Sequence, residues 1–259
     1  MSHDIGPILD GWEYRPDRPV VRRITGSDGR PKLQLRVDLG LLQMELSGRP
    51  DSRRPHGHET LLSYYHHLRD AHEERHGNTD DFVLDADDCM KLQLESVQFY
   101  HRRISWLEIE EFAAAMDDAD HNLSIMDLID EYASDGTYRD IFLQYRPFVM
   151  VHRTMAEARL HWERKEYDEA LEALDKTSEE IREFHRERGH DEMSGESGEI
   201  AYLERLAEEM SKTRPLSLEQ RLENELNEAV EGEEFERAAQ LRDELTDLRK
   251  NLPNIVDPL

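Results

Sequence analysis

Leu222-Glu223-Asn224-Glu225-Leu226-Asn227-Glu228-Ala229-Val230-Glu231-Gly232-Glu233-Glu234-Phe235-Glu236-Arg237-Ala238-Ala239-Gln240-Leu241-Arg242-Asp243-Glu244-Leu245-Thr246-Asp247-Leu248 reads as two helices and the turn between them. Leu222, Leu226 and Val230 recur at i, i+4 and i+8, a narrow apolar stripe with Ala229 beside it. Gly232 offers the left-handed conformation with which many helices end. A second stripe follows at Phe235, Ala238, Leu241 or Arg242, Leu245 and Leu248, close to heptad spacing and so akin to a coiled coil. Ser217-Leu218-Glu219-Gln220 fits a capping box before the first helix, and Asn251 and Pro253 stop the second. Helices joined so tightly lie antiparallel, and Ala238 and Ala239 permit close approach. A pair this short buries little surface alone. An apolar edge is left over, and another hairpin of the same kind is its natural cover, giving a small four-helix assembly. The other arrangement open to these residues is packing on the chain's own upstream helices, since interface cores and domain cores use similar side chains.

The string Phe235-Glu236-x-Ala238-Ala239-x-Leu241-Arg242-Asp243, with Leu222, Leu226, Ala229, Val230, Glu231, Glu233, Leu245 and Leu248 around it, resembles the UVR motif. That motif occurs in the B and C components of the excinuclease, in the adaptor that activates a bacterial protein-arginine kinase, and in other bacterial proteins of unsettled function. The resemblance implies a hairpin that docks on a like hairpin. Phe235, Ala238, Ala239 and Leu241 would be central, and Arg242 and Asp243 would pair polar groups. It implies association with nucleotide excision repair or a bacterial stress response. The rest of the chain departs from those proteins: it has no Gly-x-x-x-x-Gly-Lys loop, nothing like the nuclease domains of the excinuclease, and none of the kinase adaptor's cysteine pairs.

Working back from the hairpin, Ile200, Leu203, Leu206 and Met210 mark a short amphipathic helix ended before Pro215. Residues 187–199 are nearly devoid of apolar side chains and hold three glycines, the composition of a flexible linker. Upstream, Phe148–Arg164 and Tyr167–Arg186 read as a helical pair resembling half a tetratricopeptide repeat. Small Ala158 and Ala170 let its helices approach, Tyr167 plugs the turn, and no second copy follows at the expected period. Leu61–His76 is a helix stopped by Gly77-Asn78. Met90, Leu94, Val97, Ile104 and Leu107 predict the buried stripe of a long helix, continued at Glu111–Met116. Asn122 marks a turn before a further helix at Leu123–Tyr132. The first fifty-odd residues differ: Val20–Ile24 and Leu33–Val37 flank Asp28-Gly29, a hairpin that Leu41–Leu46 extends to a third strand. The expected architecture is mainly α. A β-rich segment spans 1–55, a helical, partly repeat-like body 56–186, a linker 187–199, and a connecting helix with the antiparallel hairpin 200–259.

Apolar residues make up 37% of the chain and charged ones 36%, which suits amphipathic helices with thick polar faces. The net charge of −26, with no block of Lys and Arg to offset it, argues against direct DNA binding. Cys89 is the only cysteine, which excludes an intrachain disulfide and a multi-cysteine zinc site. No signal peptide and no membrane-spanning apolar run is visible, so a cytoplasmic protein is expected.

Three constellations carry possible chemistry. His72-Glu73-Glu74-Arg75-His76 matches H-E-x-x-H, which on a helix would set two imidazoles on one face for zinc, with Glu73 as base. Its charged interior and the helix stop at Gly77 favour a solvated helix end, so no metal and no cofactor is expected. Asp117, Asp118, Asp120, His121 and Asp127 form an acidic cluster out of register for a calcium loop, which fits a helix-terminal turn. His101, Arg102, Arg103, Arg146 and Arg153, with Tyr100 and Tyr145, are cations near aromatics that could converge on a phosphate or an acidic peptide. The expected function is a non-enzymatic adaptor docking on another UVR-bearing protein or on its own copy. The alternatives are a metal-dependent hydrolase using His72, Glu73 and His76, and a purely structural homo-oligomer.

Overall fold

The computed structural model describes residues 4–189, 197–216 and 218–251. It contains a compact unit ending at Glu208 and a second unit from Glu209 onward. The expected capping role of Ser217, the stop at Pro253 and most of the expected linker fall outside the described residues.

After a one-turn helix α1 (Gly6–Leu9), the first unit opens with a three-stranded antiparallel meander, β1 (Val21–Thr25), β2 (Pro31–Val37) and β3 (Gly40–Glu45), in the order β1-β2-β3. The turn from β1 to β2 uses Gly29 at φ +75°, a conformation glycine adopts without strain. Leu33 faces Met44 and Leu35 faces Leu42 across the second strand pair. One face of the sheet sends Leu33, Leu35 and Met44 into a core with Trp106, Ala115 and Ala156. The sheet is thus part of the first unit's packing.

The remaining helices of this unit are α2 (Leu61–His76), α3 (Ala86–Glu108), α4 (Phe112–Tyr132), α5 (Gly136–Leu143), α6 (Arg146–Glu163) and α7 (Tyr167–Glu187). Thr60 and Ser63 form the capping box of α2, and Gly77 at φ +81° ends it. Asp85 caps α3 through the N–H groups of Asp87 and Asp88, and Asp135 caps α5 through Thr137 and Tyr138. The long helices pack in the row α3, α4, α6, α7. A second core lies under α2, where Leu62, Tyr65, Leu92, Ile125, Ile129 and Leu143 meet. The α6–α7 pair forms as expected, with Ala158 and Ala170 fully buried and Tyr167 edge-on to Trp162 at 4.7 Å. Helix α8 (Gly198–Thr213) buries Ile200, Leu203 and Leu206, and its Glu204 pairs with Arg182 of α7 at 2.6 Å. The first unit ends within α8, at Glu208.

Three expectations fail in this region. Met90, Leu94 and Val97 are exposed. The buried face of α3 is instead Cys89, Leu92, Glu95, Ser96, Phe99, Arg102, Arg103 and Trp106. Hydrophobic periodicity missed this face because three of its members are charged. Nor is there a turn at Asn122: α4 runs unbroken, and Asn122 is buried at its middle. The acidic cluster is likewise not a helix end, because its Asp118 lies inside the packed interface between α3 and α4.

The tight turns of α3–α4 and α6–α7 are the same turn. Glu110 at φ +59° and Lys165 at φ +65° are each the left-handed residue. The next N–H reaches back to the carbonyl five residues earlier, Glu111 to Trp106 and Glu166 to His161, both at 2.9 Å. An aromatic residue then opens the second helix, and an alanine three positions on is fully buried: Phe112 with Ala115, Tyr167 with Ala170.

Candidate docking surface

The second unit holds the pair α9 (Leu218–Glu231) and α10 (Phe235–Asn251). Its turn is the third copy of the one just described. Glu233 sits at φ +58°, the Glu234 N–H donates to the Ala229 carbonyl at 2.8 Å, and Phe235 and Ala238 follow in the aromatic and alanine positions. The left-handed residue is therefore Glu233 and not Gly232, since the turn reaches one residue beyond the glycine.

The seam between α9 and α10 consists of Ala229, Ala238 and Leu241, with half-buried Leu222 and Leu226 against them. Leu245 is buried and Leu248 half-buried on the same stripe. The choice between Leu241 and Arg242 resolves to leucine. Val230, assigned to this stripe from its spacing, lies outside it. Ala229 takes the place, buried with Ala238 and Leu241. Ion pairs span the two helices, Glu223 with Arg249 at 2.5 Å and Glu225 with Arg237 at 3.7 Å. Arg242 and Asp243 pair with each other at 2.7 Å and are both exposed, as is Ala239.

Around the turn two large apolar residues are left in solvent, Phe235 at 69% and Val230 at 52% exposure; Leu216 and Leu218, at the start of α9, are exposed as well. The counterparts of Phe235 and Val230 in the other copies of the turn are covered. Leu107 and Phe112 pack into the core that the sheet completes, and Trp162 and Tyr167 lie against each other, both half-buried. Val230 and Phe235 thus flank the turn at the closed end of the hairpin, both exposed, with Glu231, Glu233, Glu234 and Glu236 as sequence neighbours.

The other candidate residues do not gather into one site. Arg102 grips Asp118 through Nε and Nη2, down to 2.6 Å, and its Nη1 donates to the carbonyls of Glu45 and Gly48 at 3.0 and 2.8 Å. Arg146 pairs with Asp127 at 2.6 Å, and Arg153 with Asp120 at 2.6 Å and Glu157 at 2.7 Å. His101 lines a separate shallow cavity beside β3. These four side chains serve local acids, backbone or packing; Arg103 lies over the Tyr100 ring, 5.6 Å from its centre, with its Nε and Nη1 lacking hydrogen-bond partners among the described residues.

His72 and His76 stack on one another with ring centres 4.3 Å apart. Among the described residues, the one trio of His, Cys, Asp or Glu close enough to share an ion is Asp85, Asp87 and Asp88, at the start of α3 and away from both histidines. His72 and His76 thus have no third donor gathered beside them among those residues.

Sequence reasoning missed Glu95. It is fully buried, accepts hydrogen bonds from the Leu61 and Leu62 N–H groups at 2.7 and 3.1 Å, and meets His121 Nε2 at 3.1 Å. Burial pushes its carboxyl up, but the bonds from His121, Leu61 and Leu62 outweigh that and hold it below the usual carboxylate range. A carboxylate this well supplied with donors serves as an anchor for the N-terminus of α2.

Burial, reinforced by the charge of Arg103, pushes the His152 imidazole down to about 4. With the folded value below the unfolded one, only the unfolded chain takes up this proton between about pH 6 and pH 4. Stability is therefore expected to fall on acidification across that window, by up to ~1 kcal/mol per pH unit from this residue. Urea melts of the wild type and His152→Gln at a series of pH values should show a shallower slope in the variant; equal slopes would show that His152 takes up its proton in the folded state.

A family model of the UvrB/uvrC motif, UVR, matches residues 219–251. No curated protein and no solved structure matches the chain. Among the described residues, no helix is long and apolar enough to cross a membrane. The pair α9–α10 is thus a UVR motif, a segment suited to interaction and not to catalysis, carried at the end of a helical body that the motif does not cover.

Proposed function

We propose that the chain is an adaptor that docks through the closed end of its UVR hairpin onto another UVR-bearing protein. The observation that carries this reading is the exposure of Val230 and Phe235, when the same positions are covered in both other copies of the turn. A solvent-facing phenylalanine beside a valine is the apolar anchor of an interface, and acidic neighbours suit its polar rim. The B and C components of the excinuclease are the partner class that the motif suggests. Excision repair or a stress response is the corresponding process.

Charge favours a different chain over a second copy. Residues 218–251 hold eleven acidic and five basic residues, a net charge of −6. Two copies meeting at this end would bring like charges together, whereas a partner with a basic rim would be attracted. Light scattering of the full chain at low salt is expected to give a monomer across the micromolar range. A stable dimer there, lost in Phe235→Asp, would replace the partner protein with a second copy.

A further inference from the structure

Arg103 is the cation left over when its neighbours are paired. It is 1% exposed, and its Nε and Nη1 have no hydrogen-bond partner among the described residues. Burial pushes the guanidinium down to about 10. Asp118, the acid whose charge reaches it, already has both oxygens bonded to Arg102. Proteins seldom bury a guanidinium without an acceptor, because its donors lose water; the Tyr100 ring, 5.6 Å from the guanidinium carbon, offers a π face but no acceptor oxygen.

This side chain lines a cavity of about 360 Å³ bounded by α3, α4, α5 and α6. Val97, Tyr100, Met126, Phe142 and Phe148 make most of the wall apolar. Asn122, also 1% exposed, lines it too, and its Oδ1 has no donor among the described residues. The volume is in the range of small-molecule sites, which pair apolar walls with a few polar groups that fix orientation. The exposed stripe of Met90, Leu94 and Val97 reaches this cavity at Val97, while Tyr145 and Phe148 are exposed on the side of α6. The apolar face that sequence periodicity assigned to the core is therefore continuous with the wall of a pocket.

We propose that this cavity binds a small monocarboxylate with an aromatic or medium-length aliphatic body, its carboxylate paired with the Arg103 guanidinium. A charge-assisted hydrogen bond from the guanidinium holds the carboxylate, and the walls accept the apolar remainder. A phosphate dianion fits less well. Arg102, Arg146 and Arg153 are committed to Asp118, Asp127 and Asp120, and the nearby His152 is held neutral, so a single cation serves the site. The inference is independent of the docking hairpin and gives the helical body a ligand of its own.

Isothermal titration of the full chain with octanoate and benzoate tests it, with octanol, benzyl alcohol and octylammonium as the matched neutral and cationic probes. One acid molecule per chain is expected to bind, about tenfold or more tighter than its neutral or cationic analogue. Arg103→Met should lose that preference while melting no lower than the wild type, because it removes an unpaired buried charge. Absence of saturable binding by either acid would overturn the proposal, as would equal affinity for octanoate and octanol. The analogue comparison on the wild type decides the matter even where the variant folds poorly. A folded Arg103→Met that keeps the preference for acids would equally overturn the pairing.

Discussion

Asp118→Ala is expected to lower the free energy of unfolding by about 4 kcal/mol, the largest single effect in the first unit. Asp118 is buried at the interface of α3 and α4 and receives Arg102 through two nitrogens. Removing the carboxylate leaves the Arg102 charge buried and unmatched, and also deprives Arg103 of the acid whose charge reaches it. The damage would reach the sheet, because Arg102 Nη1 also ties the carbonyls of Glu45 and Gly48 to α3. Replacing both members of the pair by apolar residues, as in Arg102→Met with Asp118→Leu, should recover much of the loss, since neither charge then needs compensation. Urea denaturation followed by circular dichroism measures all three chains. A cost below about 1 kcal/mol for Asp118→Ala would show that the pair is solvated and not structural.

The second large effect is on binding. Phe235→Asp is expected to weaken docking by about a hundredfold or more while leaving the melting temperature of the free chain unchanged. The separation of the two effects follows from position. Phe235 is exposed and stands outside the seam of Ala229, Ala238 and Leu241, so its loss opens no cavity. It is also the first residue of α10, where a carboxylate interacts favourably with the free N–H groups of the helix start. Ala238→Asp is the contrasting variant: it places a charge in the seam and should unfold the hairpin itself. If Phe235→Asp melted as Ala238→Asp does, the side chain would belong to the hairpin's own core and not to an interface.

Much of this architecture is legible in the sequence. The meander can be read from Asp28-Gly29 between two β-type runs, α2 from its ending at Gly77, and α9–α10 from their two stripes. These features are local, set by turn chemistry and by the apolar spacing of one element. What escapes is non-local. Glu95, Arg102 and Arg103 are charged and therefore count as solvent-facing, yet each lies inside α3's packed face: distant groups receive Glu95 and Arg102, and Arg103 lies over the Tyr100 ring at the wall of a cavity. With these three placed outside, Met90, Leu94 and Val97 are forced inside, and the stripe falls on the wrong face of the helix.

The repeated turn escapes for a different reason. Its three copies share a left-handed charged residue, a glutamate, an aromatic and an alanine at fixed offsets, but the helices between them differ in length. A search for a constant period therefore passes over them. The expected docking residues divide accordingly. Leu222, Leu226, Ala238, Leu241 and Leu245 hold the hairpin closed, while Val230 and Phe235 remain available outside it. Ala239, Arg242 and Asp243 are exposed on α10.

The most direct test is quantitative capture from native lysate by the tagged full-length chain, wild type against Phe235→Asp, with UVR-bearing proteins counted by mass spectrometry. The expected result is a UVR-bearing protein retained by the wild type and reduced at least about tenfold by the variant, with both baits equally folded. Equal recovery of that protein by the two baits, or no UVR-bearing protein with either, would contradict docking through this surface.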